Sequence, residues 1–406
     1  MSKIITDKEK INEVLTRGTE NIYPNREFLE KALSSGKRLR IYCGFDPSAP
    51  ALHIGNAIQI NKLAQFQALG HEIIFLVGDF TGMIGDPTDK TAARKKLTRK
   101  EVLDNAKNYK KQAAAYLKFS GSNAAKIRYN SKWQDKLTFR DLIELASNFT
   151  VQQMIIRDMF QVRLKGEKPI YLHEFLYPLA QGYDSVAMDV DMEIGGNDQT
   201  FNMLAGRNLL KALKNKEKFV LTTKLLVDPS GKKMGKSEGN IVNLDENPID
   251  MYGKIMSWPD GVLPVGFELC TALPFAEVRK MQTELEEGQA NPRDLKMKLA
   301  FEITKTNHGE KKAREAEDYF IRTVQKKEVP EEIMNYELQT TNWKLVDLLV
   351  EIKMATSKNE ARRLIEQGGI KVNEETIKDL NKEIEISQKG VLLQRGKRQF
   401  IKVIKK

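Results

Sequence analysis

Cysteine is nearly absent from this chain of 406 residues, which holds two, Cys43 and Cys270. Two thiols cannot staple a disulfide framework, and their spacing is not that of a metal box, so packing must hold the core. Long apolar runs are also missing. None approaches the roughly 20 residues that cross a bilayer, and the opening MSKIITDKEKINEVLTRGTENIY is too charged for a signal peptide. There is no internal repeat and no low-complexity tract, which excludes repeat architectures. The expectation is a cytoplasmic protein of a reducing compartment. What the chain does have is length for two or three domains with a real core. It also has a basic excess, 66 Lys and Arg against 55 Asp and Glu for a net +11. That charge points to a polyanionic partner and says nothing about fold.

Apolar patterning divides the chain. RLRIYCGF reads as a strand, and His53 to Leu69 as a helix with Ala57, Ile60, Ala64 and Ala68 on one stripe and Gly70 as its stop. EIIFLVGDF is an apolar run of the buried parallel-strand kind. Thr98-Arg-Lys-Glu101 spells a capping box. KIRYN (126–130) reads as a strand, about Thr138 to Leu164 as helical, and DVDMEIGG (189–196) as a strand again. The expected fold is α/β, a doubly wound, Rossmann-like parallel sheet over residues 1–245. An α-helical domain is expected at 246–336, a linker at 337–342, and a small α+β domain at 343–406. That last segment carries 15 basic and 9 acidic residues, hence +6 of the total charge.

Two polar stretches fall where an α/β sheet binds ligands, at loops that leave strands for helices. In CGFDPSAPALHIGN (43–56) a helix N-terminus offers free N–H groups and a positive dipole to phosphate. Gly55 would let a flat ligand lie against the backbone. His53 and Asn56, three apart, share a face and can donate to ligand oxygens. A packing glycine and a satisfied surface histidine are the alternative. In DPSGKKMGKSEGN (228–240), lysines among glycines can close over a triphosphate and neutralise charge that develops in the transition state. A solvated basic loop is the alternative there.

In this order HIGN and KMGKS resemble the two signatures of class I aminoacyl-tRNA synthetases, with Asn56 in place of a histidine and Gly235 where serine is commoner. With GDFTGMIGDPTDK and EFLYPLAQGYDSVAMDVDMEIGGNDQTFN, essentially the whole chain resembles bacterial-type tyrosyl-tRNA synthetases, and its tail resembles an S4-type RNA-binding module. The resemblance implies tyrosine activation by ATP, release of pyrophosphate and transfer to the 3′ end of tRNA(Tyr). It places Tyr42 and Asp184 at the substrate hydroxyl, Tyr177, Gln181 and Asp86 at its α-ammonium, and Gln199 at its carboxyl. Cys43, Gly44, Asp46, Gly55, Gly196 and Asp198 are implied around ATP and the adenylate. His53, Asn56 and Ser48, with Lys233 and Lys236 of the second signature, are implied in catalysis, Lys236 and Ser237 also in holding ATP and the adenylate, and Lys90 and Arg94 in a loop toward pyrophosphate.

The resemblance also implies a connective insertion at about 125–170, an anticodon-binding role for the helical domain, and a homodimer. Arg362 and Arg363 would face RNA from a short helix that Ser357 and Glu360 cap as a box and Gly368-Gly369 stop. No dedicated carboxylate cage is visible, so Mg2+ would ride with the triphosphate. Two rival readings remain. A tryptophanyl-tRNA synthetase shares the fold and signatures but has no use for the Tyr42–Asp184 pair, and an RNA-binding protein on an inactive scaffold has no use for KMGKS.

Overall fold

The computed structural model describes residues 3–88, 96–228, 230–231, 234, 241–325, 334–396 and 399–406. They form two compact units, Met1–Asn247 with Lys254–Gly309, and Pro248–Gly253 with Glu310–Lys406. Among the described residues no helix is long and apolar enough to cross a membrane.

The first unit is built on strands β1 (Thr19–Tyr23), β2 (Arg40–Phe45), β3 (Glu72–Val77), β4 (Lys126–Tyr129), β5 (Met192–Gly196) and β6 (Phe219–Thr223). Their order is β1-β6-β5-β2-β3-β4. All neighbours are parallel except β1, which runs antiparallel along β6. Burial of every residue from Ile73 to Val77 explains why β3 reads as an unbroken apolar run. From β2 the chain winds out through β3 to β4, then resumes on the other side of β2 with β5 and β6. The crevice at the carboxyl ends of β2 and β5 is therefore the topological switch point, where ligands of open α/β sheets bind.

Three helices place side chains at that crevice. Ile54–Ala68 buries Ile54, Ala57, Ile60, Leu63 and Phe66. Leu172–Met188 packs against Thr200–Lys214 at two glycines: a Cβ on Gly182 would lie 3.2 Å from the Gly206 Cα. This close approach fixes the helix that carries Tyr177, Gln181 and Asp184. The capping box of Thr98 and Glu101 is formed. The helical stretch 138–164 is three helices, Phe139–Ala146, Val151–Ile155 and Asp158–Lys165. Thr138 and Thr150 cap separate starts, which breaks the run.

The boundary expected at 245/246 does not coincide with a compact unit. Helices Leu263–Cys270, Phe275–Glu286 and Pro292–His308 belong to the first unit. Arg17 ties them in, donating to the carbonyls of Glu268 at 3.0 Å, Thr271 at 2.6 Å and Leu273 at 2.7 Å. Those carbonyls lie at and just beyond the end of Leu263–Cys270, where a cation is favoured.

The second unit contains β7 (Met334–Leu338), β8 (Asn342–Lys344), β9 (Ile370–Val372), β10 (Glu375–Ile377), β11 (Glu383–Glu385), β12 (Val391–Arg395) and β13 (Gln399–Lys405). Five of them form one sheet, β10-β9-β12-β13-β7, and β8 pairs with β11. Leu345, Leu348, Leu349, Ile365, Ile370, Leu393 and Val403 are fully buried in its core. The linker expected at 337–342 is corrected. Residues 337 and 338 end a strand that runs parallel to β13, and Asn342 begins β8. The helix Lys358–Glu366 has half of its expected capping box: Ser357 accepts the Glu360 N–H, but the Glu360 carboxylate accepts from Thr356 and Arg395.

Candidate active site

A cavity of about 260 Å³ opens at the switch point. Tyr42, Cys43, Gly44, Asp46, Ser48, His53, Gly55, Asn56, Asp86, Tyr177, Gln181, Asp184, Gly196, Asp198 and Gln199 all line it. Lys90, Arg94, Lys233, Lys236 and Ser237 lie outside the described residues. Arg362 and Arg363 are exposed on their helix in the second unit. Met234 also lines the cavity. The segment that follows the lysine-rich stretch lies along the first motif: the Ile54 N–H donates to the Val242 carbonyl, and the Leu244 N–H to the Leu52 carbonyl.

Tyr42 and Asp184 form one buried part of the lining. Tyr42 is fully buried, with its hydroxyl 2.8 Å from Ser185 Oγ. The Asp184 carboxylate accepts from Trp133 Nε1 at 2.7 Å, Gln134 Nε2 at 2.8 Å and Asn130 Nδ2 at 3.1 Å. Burial pushes its pKa up to about 7, against the pull of those three donors. Burial and then the nearby Glu193 and Asp184 carboxylates push the Tyr42 phenol well up, so its proton is retained. Burial likewise pushes the Cys43 thiol up.

A second group of lining residues is sorted by polarity. Tyr177 donates its hydroxyl to Asp46 Oδ2 at 2.7 Å, and Thr81 donates to Asp46 Oδ1 at 2.6 Å. Gln181 Nε2 donates to Glu193 Oε1 at 3.0 Å, and Gln199 Nε2 to Asp86 Oδ2 at 2.7 Å. Three carboxylates thus take the phenol's donor and one donor from each of two amides, and the oxygens of these groups keep lone pairs for a ligand. Gln199 lines the same cavity; one of its amide N–H groups goes to Asp86 and its oxygen accepts from Asn202 at 3.0 Å, which leaves its second N–H for a ligand.

Two glycines make room for side chains of the site. A Cβ on Gly55 would meet the His53 ring at 2.9 Å, so the bare position makes room first for the imidazole. Asn56 Oδ1 accepts the His53 N–H at 3.0 Å, which commits its oxygen to the helix start and leaves its amide nitrogen as the donor. Gly78 was not foreseen as a site residue. A Cβ there would stand 2.0 Å from Asp46 Oδ1 and 2.4 Å from Thr81 Oγ1. Gly78→Ala is therefore expected to displace Asp46 and, with it, the partner of Tyr177. The loss of that charged hydrogen bond is expected to weaken ligand binding in the cavity by about tenfold or more, which titration calorimetry checks.

Asn130, Trp133, Gln134, Glu193 and Lys218 were also missed. The first three follow β4 in YNSKWQ, and nothing in their spacing announces a partner on a helix more than forty residues later.

A nucleotide-type crevice at the switch point, with a polarity-sorted cavity beside HIGN, defines a class I aminoacyl-tRNA synthetase. Residues 34–325 match the family of tRNA synthetases class I (W and Y), and residues 324–403 match the tyrosine--tRNA ligase SYY-like C-terminal domain. The chain is 42% identical over 400 residues to the tyrosine--tRNA ligase of Thermotoga maritima, covering 98% of each protein. It is 42% identical over 401 residues to that of Aquifex aeolicus, covering 98% of this chain and 100% of the relative. In fold it is similar to the tyrosyl-tRNA synthetase of Archaeoglobus fulgidus complexed with L-tyrosine, with a TM-score of 0.61 at 24% identity over 77% of this chain and all of that one. The chain belongs to the tyrosine--tRNA ligase family. It is an ATP-dependent aminoacyl-tRNA synthetase whose substrates are tyrosine, ATP and tRNA, and neither rival reading is favoured.

Proposed function

We propose that this cavity holds tyrosine with its phenol at Tyr42 and Asp184 and its ammonium among Tyr177, Gln181 and Asp86. The observation that carries the reading is the sorting of hydrogen-bond polarity across the cavity. An ammonium needs acceptors, and Tyr177 and Gln181 each direct a donor to a carboxylate, which leaves their oxygens beside the Asp86 carboxylate to accept from it. A buried phenol needs a paired hydroxyl or it costs a few kcal/mol, and Asp184 supplies a carboxylate for it.

The substrate carboxylate then attacks the α-phosphorus of ATP and pyrophosphate leaves. The nucleophile is already ionised, so the protein's work is positioning and charge stabilisation. Ser48, His53 and the Asn56 amide nitrogen serve the phosphates, with Lys233, Lys236 and Ser237 of the second signature and Lys90 and Arg94 on the pyrophosphate side. The adenylate lies along Cys43, Gly44, Asp46, Gly55, Gly196 and Asp198. Both Asp46 oxygens are already engaged by Tyr177 and Thr81, so Mg2+ would be carried by the triphosphate, whose charge it neutralises. Arg362 and Arg363 contact the tRNA backbone, residues 246–336 serve its anticodon end, and the reaction belongs to the cytoplasm, where these substrates are. Tyrosine-dependent ATP–pyrophosphate exchange tests the reading, and exchange supported equally by tyrosine and tryptophan would overturn it.

A homodimer is part of the same reading. Phe139, Val151, Ile156 and Leu172 are 78%, 70%, 70% and 82% exposed, which suits a surface covered by a second copy. Phe139→Asp is expected to shift sedimentation toward the monomer. An unchanged species at every concentration would count against this surface.

A further inference from the structure

Behind the cavity lies an ion pair whose lysine has no part in the chemistry above. Lys218, just before β6, is fully buried and its ammonium pairs with Glu193 Oε2 on β5. It also donates to Ser185 Oγ at 2.8 Å and lies 5.9 Å from the centre of the Tyr42 ring. The side chain reaches there through the helix crossing: a Cβ on Gly206 would stand 2.7 Å from its Nζ and 2.8 Å from Ser185 Oγ. Glu193 is 2% exposed and lines the cavity from below. Its other oxygen takes the Gln181 amide nitrogen at 3.0 Å.

We propose that Lys218, acting through Glu193, is a positioning residue that fixes which end of the Gln181 amide the substrate meets. A glutamine can present either a donor or an acceptor, and only its partners decide. Glu193 ionised against Lys218 can only accept, so Gln181 must turn its nitrogen toward it and its oxygen toward the ligand. An oxygen attracts an ammonium, and a flipped amide would present N–H groups that repel it. A buried ion pair is a poor source of stability in itself, because desolvation offsets the attraction. Here it acts instead as a polarity lock on a specificity group. The proposal rests on the reading of Gln181 as an ammonium ligand.

Substitution can set the lock either way. In Glu193→Gln, Lys218 still donates to the side-chain oxygen of residue 193, whose nitrogen then faces Gln181 and forces the flip. In the neutral pair Lys218→Met with Glu193→Gln, residue 193 can turn and Gln181 recovers its orientation in part. The probe is 3-(4-hydroxyphenyl)propanoate, tyrosine without its amino group, used as a competitive inhibitor of tyrosine-dependent ATP–pyrophosphate exchange by the full-length protein.

Glu193→Gln is expected to raise the tyrosine KM about tenfold or more, the worth of one charged hydrogen bond, with kcat changed far less. The Ki of the desamino probe should stay within about twofold of wild type, as that bond is absent from its complex. The double variant should recover part of the tyrosine KM. KM and Ki do not depend on how much of the sample is folded, and a merely structural defect would move both alike. The double variant, neutral and close in volume, decides the matter alone where the single one fails to fold. It too should show a raised ratio of tyrosine KM to probe Ki. A ratio equal to wild type in every variant that folds overturns the proposal. Failure of the wild-type protein to exchange with tyrosine would instead overturn the underlying reading of the cavity.

Discussion

Asp184→Asn should lower kcat/KM for tyrosine by about 10³-fold in ATP–pyrophosphate exchange while the KM for ATP stays within about twofold. The carboxylate takes three N–H donors and offers its remaining lone pairs to the phenol. An asparagine has one oxygen for all of these, and its own N–H groups must face Asn130, Trp133 or Gln134. One charged hydrogen bond lost and one buried donor unpaired amount to about 4 kcal/mol, which is the stated factor at about 1.4 kcal/mol per decade. Fold should persist, because Asn fills the same space.

The same carboxyl sets a pH dependence. With a pKa near 7 in the unliganded protein, Asp184 is neutral below that value and a carboxylate above it. The tyrosine KM should therefore fall as pH rises from about 6 to 8, and this inflection should vanish in Asp184→Asn. Stability moves the other way. A carboxyl whose folded pKa is raised contributes stability that is full below its unfolded value near 3.8 and is lost as pH rises through about 7. Thermal melting without ligand should show this loss between about pH 4 and 7, and saturating tyrosine should offset it. A tyrosine KM flat across that window in the wild-type protein would remove Asp184 from the phenol's partners.

What could be read from the chain was whatever depends on near neighbours. The buried run of β3, the helix from Ile54 and the Thr98–Glu101 cap are written in spacings of two to four residues. The helices at 254–309 and the strand β7 were misplaced because their partners are far away: Arg17 reaches the carbonyls of 268–273, and Leu338 pairs beside Lys405. The site divides the same way. Every described candidate from Tyr42 to Gln199 lines one cavity, since the motifs that carry them sit at strand ends. The residues that orient them left no local trace. Glu193 passes as an ordinary strand carboxylate, Lys218 as one more charge in KNKEK, and Gly78 as a turn. Their roles exist only once β5, β6 and the helix Leu172–Met188 are packed together.

Ending the chain after Gln325 should separate activation from charging. The cavity and its supporting pairs lie wholly within the first unit, so tyrosine-dependent exchange is expected to remain within about twofold of the full chain. The cut retains the helix Glu310–Phe320, whose Phe320 ring lies 5.5 Å from that of Tyr252, so the segment 248–253 keeps its partner. Aminoacylation of tRNA should fall by about 10²-fold or more at physiological salt, with Arg362, Arg363 and a segment of 17 basic and 13 acidic residues removed. Each lost phosphate contact takes roughly 0.7–0.9 from the slope of log affinity against log salt. The full chain should accordingly be the more salt-sensitive of the two in charging. A cut at Asn342 should behave worse than one at Gln325, although it removes less. It leaves β7 without β13, an unpaired strand whose N–H and C=O groups invite aggregation. Equal charging by the full chain and the Gln325 truncation across a salt series would show that the tail does not hold RNA.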